Sequence, residues 1–163
     1  MNKAIFLDRD NTLNYDEGYT YKIEQLKFLP GAIEGLKKLS RYKLFIVTDQ
    51  SGIGRGYYSE EDFHKFMDNM IEVLKDNGIK IEKYYYCPHK PEDKCDCRKP
   101  SIKFIKEAEK EYKLDLKNSY VVGDKEKDVE LGKKAGCKTI WIGKDAKNLN
   151  EAAELILNDN KKL

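Results

Sequence analysis

Short apolar runs alternate along the chain with longer amphipathic ones. Ala4-Ile5-Phe6-Leu7, Leu44-Phe45-Ile46-Val47, Tyr84-Tyr85-Tyr86, Tyr120-Val121-Val122 and Thr139-Ile140-Trp141-Ile142 show no polar alternation. Each therefore reads as a strand buried on both faces. Between them the period lengthens. Leu29-Pro30-Gly31 opens a helix with Ile33, Leu36 and Leu39 at helical spacing. Ser59 is placed as an N-cap before Glu60, Glu61 and Asp62; Phe63, Phe66, Met70, Val73 and Leu74 follow on one face, and Gly78 ends the run. Another helix is expected from about Ser101 to Tyr112, and a further one holds Val129 to Ala135. The segment Ala152 to Leu157 fits either a helix or a short edge strand. Strands that alternate with helices predict an α/β fold, with a central, mostly parallel sheet covered on both faces. Two long stretches without a period remain, Arg9 to Phe28 and Pro88 to Lys99. Loops of that length in a compact domain are usually functional.

The 163 residues suit one domain, 1–163, without repeats or linkers. No apolar run approaches the roughly 18 residues of a membrane span, and the N-terminus lacks signal-peptide anatomy, so a cytoplasmic protein without a membrane partner is expected. A net charge of +2 argues against a nucleic-acid partner, which calls for a basic excess on one face. Only four of the 31 basic residues are Arg, and Arg9, Arg55 and Arg98 fall in the segments that carry chemistry. Arg offers a rigid fork for phosphate that Lys does not. Of the four Cys, three lie within eleven residues and Cys137 is remote. That pattern suits a metal better than two disulfides, and Cys137 reads as an inert core thiol.

The first strand runs into Asp8-Arg9-Asp10-Asn11-Thr12. In an open α/β sheet the reactive crevice lies beyond the carboxyl ends of the strands. Two carboxylates there repel unless a cation sits between them, and Mg²⁺ suits hard oxygen ligands while leaving room for a phosphate. Asp8 could then attack phosphorus as a carboxylate nucleophile, with Asp10 as general acid and base. Asn11 tolerates the left-handed backbone such a turn can require. The bland alternative is a solvated acidic turn. Further strand ends add to the pattern. Thr48-Asp49-Gln50-Ser51 offers hydroxyls to an anion, Gly123-Asp124-Lys125-Glu126-Lys127-Asp128 offers a third carboxylate, and Lys99 can neutralise phosphoryl charge.

This ordered set, Asp-x-Asp-x-Thr, a Thr, a Lys and Gly-Asp-x-x-x-Asp, resembles the haloacid dehalogenase superfamily of phosphotransferases. The resemblance implies a three-layer, Rossmann-like fold and Mg²⁺-dependent phosphomonoester hydrolysis through an aspartyl-phosphate. It implies catalytic roles for Asp8, Asp10, Thr48 and Lys99, and Mg²⁺ ligation by Asp8, Asp10 (through its backbone carbonyl) and Asp124. Asp128 would orient its neighbours. A phosphotransferase with an acceptor other than water, a DNA 3′-phosphatase, and an interaction module that has lost its chemistry are the competing readings.

Cys87-Pro88-His89 and Cys95-Asp96-Cys97 supply three thiolates and one imidazole, the donor set of a closed tetrahedral Zn²⁺ site. Four protein ligands leave no open position, so the ion would be structural, pinning the loop that carries Arg98 and Lys99. A Cys95/Cys97 redox pair, or a buried His with incidental thiols, are the alternatives. With the following Arg-Lys-Pro, this loop resembles the capless, zinc-containing branches of the superfamily that act on heptose bisphosphates and on histidinol phosphate.

Within these branches the Asp16-Glu17-Gly18-Tyr19 and Ser51-Gly52-Ile53-Gly54-Arg55-Gly56 segments resemble the heptose-bisphosphate one. That likeness implies sugar contacts from Asp16, Gly18 and Tyr19. It implies substrate contacts from Gln50, Ser51 and Lys125, and a second phosphate gathered by Arg55 and Arg98. The expected partner is a small phosphorylated metabolite and the expected assembly a monomer. Its C7 phosphate would be removed; the alternative substrate is histidinol phosphate or another small sugar phosphate. The five-residue gap between His89 and Cys95 is closer to the histidinol-phosphate branch. Asp49 stands where both branches usually have Asn, adding a carboxylate beside the phosphate.

Overall fold

A computed structural model of the protein describes residues 1–161; the last two residues of the expected 1–163 unit lie outside the described residues. Five strands form one sheet in the order β3-β2-β1-β4-β5. They are β1 (Ala4–Leu7), β2 (Lys43–Asp49), β3 (Ile81–Cys87), β4 (Tyr120–Gly123) and β5 (Lys138–Trp141). Every neighbouring pair is parallel. The chain builds outward from β1 to one edge, then returns to lay β4 and β5 on its other side. The strand order therefore reverses at β1, and the crevice outside its carboxyl end is where such sheets bind ligands.

Successive side chains of β1 point to opposite faces. Ile5 and Leu7 join Leu44, Ile46 and Val122 in the larger core, which is closed by three helices, α1 (Ala32–Lys38), α3 (Glu60–Asp76) and α6 (Leu149–Lys161). Ala4 and Phe6 join Phe45, Val47 and Val121 beneath α4 (Lys103–Tyr112) and α5 (Glu126–Ala135). Phe6 and Phe45 stack with ring centres 5.2 Å apart. The sheet is thus buried on both faces, as its unbroken apolar strands require.

Most boundaries follow the hydrophobic pattern. Ser59 caps α3 reciprocally: its hydroxyl accepts from the Asp62 N–H at 3.0 Å, and the Asp62 carboxylate accepts from the Ser59 N–H at 3.1 Å. Three differences have local causes. β3 begins at Ile81, ahead of the Tyr run, because an edge strand tolerates Glu82 and Lys83. A short helix, α2 (Ser51–Gly54), follows β2, hidden in the sequence by its two glycines. The ambiguous tail is helical: Leu149, Ala152, Ala153 and Ile156 are buried at helical spacing.

Among the described residues, no helix is long and apolar enough to cross a membrane. No inserted cap covers the carboxyl edge of the sheet among them. Loops border it instead, after β1, β2 and β3.

The seat of α6 depends on Gly35 of α1. A Cβ there would lie 2.6 Å from the backbone carbonyl oxygen of Leu149. In an open helix Gly→Ala adds about 0.5–1 kcal/mol of stability. Here the methyl meets backbone, and overpacking costs about 1–3 kcal/mol. Gly35→Ala should therefore lower Tm by several degrees, at about 2–4 °C per kcal/mol for a chain of this size. A raised Tm in a melting curve would contradict this close α1–α6 contact.

Candidate active site

The turn after β1 is closed by its own backbone. Asp8 donates its N–H to the Val122 carbonyl at 3.0 Å, and the Arg9 carbonyl accepts from Leu13 at 2.8 Å. Asn11 takes φ of 64°, the left-handed conformation anticipated for it. This geometry directs the Asp8 and Asp10 side chains into a cavity of about 270 Å³ at the carboxyl edge of the sheet.

Lys99 crosses beneath that cavity. Its Nζ lies 2.9 Å from Asp8 Oδ1 and 2.9 Å from Asp128 Oδ1, with the side chain 2 % exposed. Burial alone would discharge this ammonium, but the carboxylates of Asp8, Asp128 and Asp49 outweigh it and hold the pKa well above the usual lysine value. Burial pushes Asp8 up in turn. The opposing pull of Lys99, a hydrogen bond with Asp124 and the charge of Lys127 leave it below the ordinary carboxylate value. Asp8 is thus held as a carboxylate.

Asp124 has the opposite environment. Burial and then the adjoining Asp8 push it up to about 7. Carboxylate oxygens of Asp8, Asp124 and Asp128 lie within 4.8 Å of one another. Asp128 has both oxygens engaged, one by Lys99 and the other by the Lys125 N–H at 3.2 Å. Asp124 Oδ1 is buried without a partner. A hard divalent cation fits that orphaned oxygen and relieves the Asp8–Asp124 repulsion, leaving Asp128 to orient Lys99. Gly123 permits this packing, since a Cβ there would fall 2.2 Å from Asp128 Oδ2.

Asp10 is fixed from several sides. The Arg9 guanidinium donates to it at 2.9 and 3.1 Å, Asn14 at 3.2 Å and Gln50 at 3.3 Å. Burial raises the Asp10 pKa; Arg9 opposes the rise and Asp8 adds to it, leaving the group above the ordinary carboxylate value. That suits a residue that must both give and take a proton. Gln50 is itself oriented: Tyr58 donates to its Oε1, which turns Nε2 toward Asp10 and toward Thr48 Oγ1 at 2.9 Å.

Most of the expected substrate residues also border the cavity. Asp16, Gly18 and Tyr19 from the loop after β1, Gln50 and Ser51 after β2, Arg98 after β3 and Lys125 after β4 all line it. The Asp16 carboxylate closes its own loop by accepting the Gly18 N–H at 2.9 Å. Tyr19 is braced edge-on by Tyr57, with ring centres 4.8 Å apart. Arg55 is not brought to the cavity. It caps the carboxyl end of α2, a helix unforeseen in the sequence, and is left exposed. Arg9 does not face a phosphate either. It is wholly buried, with its guanidinium 4.5 Å from the centre of the Phe66 ring. Lys127 lines the cavity and had no local signal to single it out.

The extra carboxylate of Asp49 is neutralised by the protein. Its Oδ2 accepts from Lys127 Nζ at 2.8 Å, and its Oδ1 accepts from the Lys99 backbone N–H at 3.2 Å.

The second donor cluster adjoins this wall. Cys87 ends β3, and its Sγ lies 3.4 Å from Cys95 Sγ and 3.5 Å from His89 Nδ1. Cys97 Sγ is 3.4 Å from the same imidazole nitrogen. Three sulfurs and one nitrogen converge within 4.8 Å of one another, a soft donor set that could hold a metal ion. The loop touches the site: Arg98 reaches the His89 carbonyl at 3.5 Å, and the Gln50 N–H binds the Cys87 carbonyl at 2.8 Å. Cys137 is half-buried against the smaller core, and burial pushes its thiol up to about 12.

The chain is similar to known phosphatases in both sequence and fold. The HAD-hydrolase-like family model matches residues 96–160. The chain is 45 % identical over 159 residues to D-glycero-beta-D-manno-heptose-1,7-bisphosphate 7-phosphatase of Pasteurella multocida, covering 93 % of this chain and 86 % of that protein. It is 44 % identical over 147 residues to the alpha-anomer enzyme of Campylobacter jejuni, covering 89 % and 84 %. Among solved structures, D,D-heptose 1,7-bisphosphate phosphatase from B. bronchiseptica, complexed with magnesium and phosphate, has a TM-score of 0.88 at 26 % identity, covering 96 % of this chain and 99 % of that one. With these relatives and this fold, the chain is a phosphatase of the haloacid dehalogenase-like hydrolases and belongs to the family of D-glycero-D-manno-heptose-1,7-bisphosphate 7-phosphatases.

Proposed function

We propose that the protein removes the C7 phosphate of a D-glycero-D-manno-heptose 1,7-bisphosphate, using Mg²⁺ at the active site and a structural Zn²⁺ in the Cys87–Cys97 loop. The observation that carries the chemistry is the Asp8 carboxylate, kept ionised by Lys99 and set beside the unpartnered oxygen of Asp124. The relatives, named for this substrate and aligned over most of the chain, support the substrate. They include enzymes named for the beta and for the alpha anomer.

Asp8 and Asp124 side chains, with the Asp10 backbone carbonyl, would hold Mg²⁺, which when bound supplies positive charge to the phosphoryl oxygens. In the first step a carboxylate oxygen of Asp8 attacks phosphorus. The bond to the C7 oxygen breaks, its electron pair leaves with the sugar, and Asp10 gives that oxygen a proton. Asp10, now a carboxylate, then takes a proton from water as the water oxygen attacks phosphorus and the Asp8–phosphorus bond breaks. Inorganic phosphate leaves and Asp10 is protonated again. Lys99 and Thr48 counter the charge on the phosphoryl oxygens.

A reading as a histidinol-phosphate phosphatase fits the cavity less well. That substrate carries positive charge, and Arg98, Lys125 and Lys127 all line the cavity it would enter.

Phosphate release measured over sugar bisphosphates, sugar monophosphates and histidinol phosphate tests the assignment. The heptose bisphosphate should give the highest kcat/KM; a higher value for histidinol phosphate would transfer the assignment. Asp8→Asn should abolish turnover, because an amide cannot form the acyl phosphate, while Asp128 still pairs with Lys99. Comparable turnover by that variant would sink the mechanism.

The zinc reading predicts about one Zn per chain by elemental analysis. Cys95→Ser should lower Tm, since a closed zinc site contributes folding free energy. A zinc-free protein with unchanged melting would refute it.

A further inference from the structure

Asp49 and Lys127 come from opposite sides of the site. Asp49 ends β2, and Lys127 lies in the first turn of α5, after β4. The two strands flank β1, so their ion pair bridges the end of the strand that delivers Asp8. Both oxygens of Asp49 are taken by protein donors, and its side chain is 6 % exposed. It therefore offers the cavity no bare negative charge.

Lys127 differs. Its side chain is 28 % exposed and lines the cavity. One ammonium hydrogen is directed to Asp49. Among the described residues, no protein acceptor takes the other two. A free lysine carries rotamer entropy that binding must remove. Here Asp49 has already fixed the end of the chain. Arg98, whose only side-chain bond among the described residues is a long one to the His89 carbonyl, and the exposed Lys125 line the same cavity. The phosphate being transferred is served by Lys99 and Thr48. Arg98, Lys125 and Lys127 line the same cavity and remain for a second anion.

We propose that Lys127, seated by Asp49, is a specificity-determining residue that binds the phosphate not being transferred. The pair thereby sets the preference for a sugar bisphosphate over the corresponding monophosphate. This rests on the reading of the substrate as a bisphosphate. Lys127 takes the place beside Arg98 that the sequence suggested for Arg55.

The test is the ratio of kcat/KM for the heptose 1,7-bisphosphate to that for the heptose 7-phosphate. Lys127→Met removes a charge-assisted hydrogen bond to the outer phosphate and should shrink that ratio about tenfold or more, chiefly through KM. Lys127→Arg should keep most of it. Asp49→Asn should lower the ratio in the wild-type background and add little in the Lys127→Met background, because the two residues act as one unit. A ratio unchanged in Lys127→Met, whether or not both rates fall together, overturns the inference. A wild-type enzyme without bisphosphate preference would instead overturn the substrate reading, before any variant is made.

Discussion

One buried ammonium, that of Lys99, is the constraint on which the site depends. A charge that is 2 % exposed is costly to bury unless paired, and removing one partner of such a pair is strongly destabilising. Asp8 and Asp128 supply the pairing; Asp8 follows β1, and Asp128 sits in the first turn of α5, just beyond the end of the neighbouring parallel strand β4. The strand order places those ends together at the reversal in the sheet. Lys99 arrives from the loop after β3, which carries the converging Cys and His side chains. Lys99 helps hold Asp8 as an anion, and burial together with that adjoining anion raises the pKa of Asp124. Crowded carboxylates beside a fixed cation are suited to a divalent metal and a phosphoryl group together.

Both signs of charge line the cavity. Asp16 from the loop after β1 joins the carboxylates of Asp8 and Asp10, and Arg98, Lys125 and Lys127 line it as well. With no cap over the edge, selectivity has to come from loops. Those loops are braced by aromatic contacts: Tyr19 against Tyr57, and Tyr21 stacked on Tyr58 at 4.8 Å. Tyr58 continues inward to Gln50 and so to Asp10. The rim and the proton-carrying carboxylate are thus mechanically joined.

The strands were legible in the chain because burial on both faces leaves unbroken apolar runs, and the site carboxylates because they fall at the ends of those runs. The cysteine cluster was legible because its ligands are close in sequence. What escaped was long-range. Arg9 falls in a segment that carries chemistry, but Phe66 and Met67 of α3 enclose its guanidinium from across the fold. Arg55 was expected in the cavity, but the turn of α2 leaves it in solvent. Lys127 resembles any surface lysine until the fold brings it to Asp49, 78 residues away. The tail at Ala152–Leu157 was undecided because its apolar spacing is short. Contact with α1 at Gly35 accompanies its helical form.

The most direct test of the central claim is chemical. The protein, mixed with the heptose bisphosphate and Mg²⁺ and quenched in acid within a single turnover, can be digested and its peptides weighed. If Lys99 keeps Asp8 as the attacking carboxylate, one phosphoryl group is found, on the peptide containing Asp8. Turnover with no phosphorylated peptide, or with the phosphoryl group on another residue, would contradict it.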